Sequence, residues 1–227
     1  PAEFAKFATA LAVSKLMSTY GFNMHRWKDM AAAFAVVLLP MLFIVAQKET
    51  GSALVYISFF LMFYREGMTG SVLFTGVAMV IYFVVGIRYE EALMFDTTTS
   101  IGKFAVLLLV QIFTSGMVYV YCKDKQQALT ILVYSVGITL LALLFAVFVI
   151  PFDIVWVQLA VSAGLVGYLV YLWMNRRIKH YLYILLFTIG SIAFFYSADY
   201  VLNNIMEPHQ RVRINVLLGL DEDLAGA

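Results

Sequence analysis

Charge is scarce in this chain: 13% of its 227 residues are Asp, Glu, Lys or Arg, about half the share of an ordinary soluble domain. Cysteine is nearly absent. Cys122 is the single one, which excludes an internal disulfide and reads as a small apolar filler near a helix end. His25, His180 and His209 are scattered without metal-ligand spacing, so no metal site is read from them. No Ser-His-Asp, Cys-His, phosphate-loop or Gly-rich dinucleotide pattern occurs, and there is no low-complexity segment or internal repeat. Net charge is +1, which gives no electrostatic footing for nucleic acid. What is abundant is apolar surface: 63% of residues are hydrophobic and mean hydropathy is +0.90. Such a chain has too little polar surface for water and belongs in a bilayer.

A membrane-crossing helix needs about 20 apolar residues. Candidate runs lie at Pro1–Met17, Met30–Ala46, Ser52–Tyr64, Ser71–Ile87, Phe104–Cys122, Ala128–Ile150, Ile154–Met174 and Tyr181–Ile205. They are continuously apolar rather than alternating, which argues against a β-barrel. The expected fold is all-α, a polytopic integral membrane protein of about eight transmembrane helices forming one domain over residues 1–227. The start, PAEFAKFATA, carries no signal-peptide pattern, and the end, LLGLDEDLAGA, is polar, so an internal piece of a longer protein is expected.

The connecting loops set an orientation. Loops one, three, five and seven hold eight Lys or Arg: Arg26, Lys28, Arg65, Lys123, Lys125, Arg176, Arg177 and Lys179. The even loops hold three: Lys48, Arg88 and Lys103. By the positive-inside bias the odd loops are cytoplasmic and the even loops face outward.

Few polar residues interrupt the runs, and each needs a reason, because a charge at bilayer depth costs roughly 2.5–3.5 kcal/mol. Glu3 and Lys6 are three apart, so on a helix they share a face and can pair. They suit either a solvated helix start or a charged pair lining an internal cavity. Gln47, Lys48, Glu49 and Thr50 cluster before Gly51, which permits a tight turn or close backbone approach. They read as a plain loop or as a polar pocket at the outer leaflet. Asp199, late in the last run, is expected to face protein or water. Arg211 and Arg213 alternate after that run, where guanidiniums suit phosphate, carboxylate or lipid headgroups.

Three of these stretches occur in an order that resembles the SEDS family, the shape, elongation, division and sporulation proteins that include RodA and FtsW. PAEFAK is similar to the family's PSE-x-x-K signature, QKETGSALV to its QPD-x-G-[ST]-A motif, and QRVRINVLLGLDEDLAGA to the segment that opens its large outer loop. The form is closest to RodA. The resemblance covers about residues 1–64 and 181–227, leaving 65–180 as inserted hydrophobic helices. Lys48 stands where the family has Pro, and Glu49 where it has Asp.

The resemblance implies a peptidoglycan glycosyltransferase of the elongation or division machinery in the bacterial inner membrane. Its substrate would be lipid II, linked to undecaprenyl pyrophosphate, and its partner a class B penicillin-binding transpeptidase. Glu3, Lys6, Gln47, Glu49, Gly51, Arg211 and Arg213 would line the substrate cavity. The family's catalytic Asp is expected beyond Ala227. A carboxylate would act as base on the acceptor hydroxyl, and cationic groups or a divalent cation would offset charge on the leaving pyrophosphate. A flippase for lipid-linked precursors or a non-catalytic scaffold of the cell-wall machinery would also use a charged cavity among helices.

Overall fold

The computed structural model describes residues 2–46, 55–90, 92–94, 99–149 and 152–200. Among these residues there are eight helices and no strand, only an isolated bridge between Leu93 and Ser100. The helices are α1 (Ala2–Met17), α2 (Trp27–Ala46), α3 (Ile57–Arg65), α4 (Gly70–Arg88), α5 (Ile101–Cys122), α6 (Lys125–Phe148), α7 (Ile154–Arg176) and α8 (Lys179–Tyr200). Each expected run corresponds to one of them. α4 to α8 are long and apolar enough to cross a membrane.

The helices begin earlier than their apolar runs where a polar first turn precedes the run. α2 starts three residues before Met30 and takes in Asp29, whose charge suits the N-terminal end of the helix dipole. Asp124 caps α6 by accepting from the Gln127 amide at 3.1 Å. Asp153 caps α7 by accepting from the Val155 amide at 3.1 Å. Such caps satisfy amides that a helix start leaves without partners. The α5 and α7 C-caps are Lys123 (φ 54°) and Arg177 (φ 52°), both left-handed, a conformation glycine usually supplies.

The chain divides into two compact units, Pro1–Val77 and Ala78–Ala227, with the boundary inside α4. The core of the first unit gathers Val13, Met24, Ala33, Val37, Ile44, Tyr56, Phe63 and Met68. Phe34 meets Phe60 edge-on at 5.2 Å, a favoured aromatic geometry. Gly67 (φ 101°) turns the chain after α3, and a Cβ there would sit 3.1 Å from the His25 ring.

The second unit packs α5 against α6, α7 and α8. Its surface is apolar, with Leu141, Phe148 and Trp156 exposed, while its interior holds Gln111, Thr114, Ser135, Thr139, Gln158 and Thr188. This inversion suits lipid as the solvent, where apolar contact gives helices little reason to associate and polar bonds and close packing do. Thr114 and Thr188 hydroxyls lie 2.9 Å apart, Thr139 donates to Gln111 Oε1 at 3.2 Å, and Gln158 donates to the Phe104 carbonyl at 3.1 Å. The hydroxyls also reach back to their own helices: Thr114 to Val110 O, Thr188 to Ile184 O and Thr139 to Ser135 O.

Candidate functional site

Glu3 and Lys6 are brought together on the first two turns of α1, with Lys6 Nζ 2.5 Å from Glu3 Oε1. The two side chains are placed differently. Lys6 is 19% exposed and Glu3 81%. The reason is helical phase: Lys6, Thr9 and Val13 recur at three- and four-residue steps, and Thr9 and Val13 are buried. Lys6 therefore continues the buried stripe of α1, and Glu3 sits one turn before it at the edge. Phe4, Phe7 and Leu11 form the exposed side of the same helix.

One turn beyond Lys6, Thr9 Oγ1 donates to the Ala5 carbonyl at 2.7 Å and lies 3.2 Å from the Tyr56 hydroxyl. Because Thr9 has one proton and gives it to Ala5, Tyr56 is the donor between them. Tyr56 is fully buried, and its ring sits 5.7 Å from that of Phe59. An ammonium, a carboxylate and a tyrosine hydroxyl thus lie along one stretch of α1. The ammonium, with protons left after Glu3 takes one, can present positive charge and donors to an anionic oxygen while the carboxylate keeps it compensated; the two hydroxyl protons are already committed.

Gln47, Glu49, Gly51, Arg211 and Arg213 lie outside the described residues, as does Lys48. Thr9 and Tyr56 were not read from the sequence as site residues. The available signal for Thr9 was its three-residue step from Lys6 within an apolar run. Tyr56, five residues after Gly51, reads as an ordinary interfacial aromatic until the fold brings it to α1.

The second unit carries polar clusters at both ends of its helices. Lys103, near the start of α5, pairs with Asp199, near the end of α8, at 3.7 Å. Asp199 is 21% exposed, so it faces protein in part. Beside the α7 start, Thr99 donates to Asp153 at 3.0 Å and accepts from the Ile154 amide at 2.8 Å. At the other end Arg176 pairs with Asp124, and Tyr168 donates to Gln127 Oε1 at 2.5 Å. Among the described residues, no three His, Cys, Asp or Glu side chains converge as a metal ion would need.

No curated protein and no solved structure matches the chain. The match to a family model covers residues 1–101, under half of the chain; it runs past residue 64 to take in α4. That stretch, which holds Glu3, Lys6, Thr9 and Tyr56, is similar to the cell cycle protein family of FtsW, RodA and SpoVE.

Proposed function

We propose that this chain belongs to a membrane glycosyltransferase that polymerises lipid II into peptidoglycan glycan strands during cell elongation or division. The observation that supports the reading is Lys6, a cation on the inner stripe of α1 held by Glu3 at 2.5 Å, within the stretch similar to cell cycle proteins. A polyprenyl pyrophosphate is anionic, and a partly buried ammonium attracts it more strongly than one fully in water. Lys6 would meet the phosphates, Glu3 would hold Lys6 in place, and the Tyr56 hydroxyl would orient Thr9 beneath them. Gln47, Glu49, Gly51, Arg211 and Arg213 would complete the outer mouth of the cavity. The base on the acceptor hydroxyl would be a carboxylate beyond Ala227. A class B penicillin-binding transpeptidase would cross-link the product, and the membrane would be the bacterial inner membrane.

The test is lipid II polymerisation by the complete protein, reconstituted with its transpeptidase in vesicles. Wild-type protein should give long glycan strands on a gel. Glu49→Gln should abolish them at unchanged protein level, Glu49→Asp should retain them, and Lys48→Ala should be milder than Glu49→Gln. Lys6→Ala should reduce them at least tenfold. Lipid II crossing the vesicle bilayer without polymer formation would replace the reading with a flippase, and neither activity would replace it with a scaffold.

A further inference from the structure

A groove of about 580 Å³ runs along the outer surface of α6 and α7. Thr130, Tyr134, Ile138, Val157, Gly164 and Tyr168 line it, and nearly all its lining is apolar. Gly164 is part of the lining, and a Cβ built there would meet nothing within 4 Å, so a larger side chain at this position has room to extend into the groove. On α7 the lining runs from Val157 to Tyr168, about 16 Å at 1.5 Å per residue, which is close to half of the ~30 Å hydrocarbon core. A groove of that length fits a chain that belongs to a single leaflet.

Its two ends differ. Tyr168 at one end is tied to Gln127 in the first turn of α6. Just past that bond the helix ends carry Lys123, Lys125, Arg177 and Lys179, all exposed, and Arg176. The one carboxylate among them is Asp124, which is taken by Arg176. Among the described residues, four exposed cations without a matching acid therefore stand at the helix ends beyond the Tyr168 end of an apolar slot in two helices long and apolar enough to cross a membrane. Basic pockets between helix ends on one membrane face suit anionic headgroups.

We propose that the α6–α7 groove is a binding site for one anionic bilayer phospholipid. An acyl chain lies along Gly164, and the phosphate sits among Lys123, Lys125, Arg177 and Lys179. The site shares no residue with Glu3, Lys6 and Tyr56, and it does not depend on the glycosyltransferase reading.

The experiment is native mass spectrometry of the whole chain in detergent, titrated with phosphatidylglycerol or with phosphatidylethanolamine of the same chains. One phosphatidylglycerol should be retained at least tenfold more tightly than phosphatidylethanolamine. Gly164→Leu should weaken retention at least tenfold. Gly167→Leu is the control: it is exposed on the same helix, has equal room for a Cβ, and does not line the groove, so it should bind as wild type. Lys125→Gln with Lys179→Gln should bring the two lipids to within about twofold of each other. Equal retention by the Gly164 and Gly167 variants would overturn the proposal. So would equal retention of both lipids by wild type, or displacement of the lipid by millimolar inorganic phosphate, which would mark a free-anion site instead.

Discussion

Thr9 and Tyr56 face each other with their hydroxyl oxygens 3.2 Å apart, across 47 positions of sequence. The contact joins the helix that carries Glu3 and Lys6 to the residue five past Gly51. Tyr56→Phe keeps the ring and leaves Thr9 bonded to Ala5, so it should cost only about 1 kcal/mol of stability. Tyr56→Ala empties a fully buried site and should cost about 3–5 kcal/mol, the range of large aromatic truncations. Thermal unfolding in detergent measures both. Equal losses would mean that the ring contributes nothing to packing.

At the basic end of the second unit, Asp124 both caps α6 and takes the Arg176 guanidinium. Asp124→Asn keeps a capping oxygen and drops the ion pair. With Arg176 41% exposed, that loss should stay below about 1 kcal/mol. Asp124→Ala removes the cap as well and should cost about 1 kcal/mol more. A chemical-denaturation series in which the two variants lost the same stability would show that the charge, not the cap, holds this end.

Gly102 and Gly116 are both in α5 and should respond oppositely to alanine. A Cβ at Gly102 would lie 2.5 Å from the Gly86 carbonyl oxygen and 3.1 Å from Tyr89 backbone atoms, while one at Gly116 would meet nothing. Gly102→Ala must displace backbone and should destabilise by about 1–3 kcal/mol. Gly116→Ala should be neutral or gain up to about 1 kcal/mol from helix propensity. Melting temperatures of the two variants decide it.

Gln111→Met should be tolerated, although Gln111 is 1% exposed. Its Nε2 has no hydrogen-bond partner among the described residues, and Thr139, which donates to its Oε1, has the Ser135 carbonyl at 2.9 Å to fall back on. Nothing is left without a partner, so the change should stay within about 1 kcal/mol. A loss of 3 kcal/mol or more in an unfolding titration would show that the amide holds the interior together.

Orientation is open to a labelling experiment. On a Cys122→Ser background, cysteines at Arg177 and Tyr89 should react from opposite sides of intact cells, Tyr89 from outside, because the basic residues gather at the Arg176 end. External labelling of both positions would overturn the orientation.

The eight helices were legible because long apolar runs have few other outcomes in a bilayer. Helix starts were less so: Asp29 and Asp124 count as loop in a hydropathy reading, yet each belongs to a helix start, whereas α7 begins at Ile154 as its apolar run does. The Glu3–Lys6 pair followed from spacing alone. Tyr56 did not, since its partner Thr9 is set by how α1 packs, and no local pattern encodes a contact 47 residues away. For the same reason the Lys103–Asp199 pair, which links α5 to α8, was not read in advance.

The hydroxyl bonds inside the second unit bear on how the protein is made. Thr114 and Thr188 are 74 residues apart, so α5 leaves the ribosome long before its partner exists. Each hydroxyl has a carbonyl of its own helix within 2.8 Å. A nascent helix can therefore enter lipid with its proton donors already occupied. Assembly then exchanges one such bond for a bond between helices, because two hydroxyls that both donate inward have no proton left to share. The order in which the helices emerge need not match the order in which they pair, and the translocon need not hold α5 back until α8 arrives.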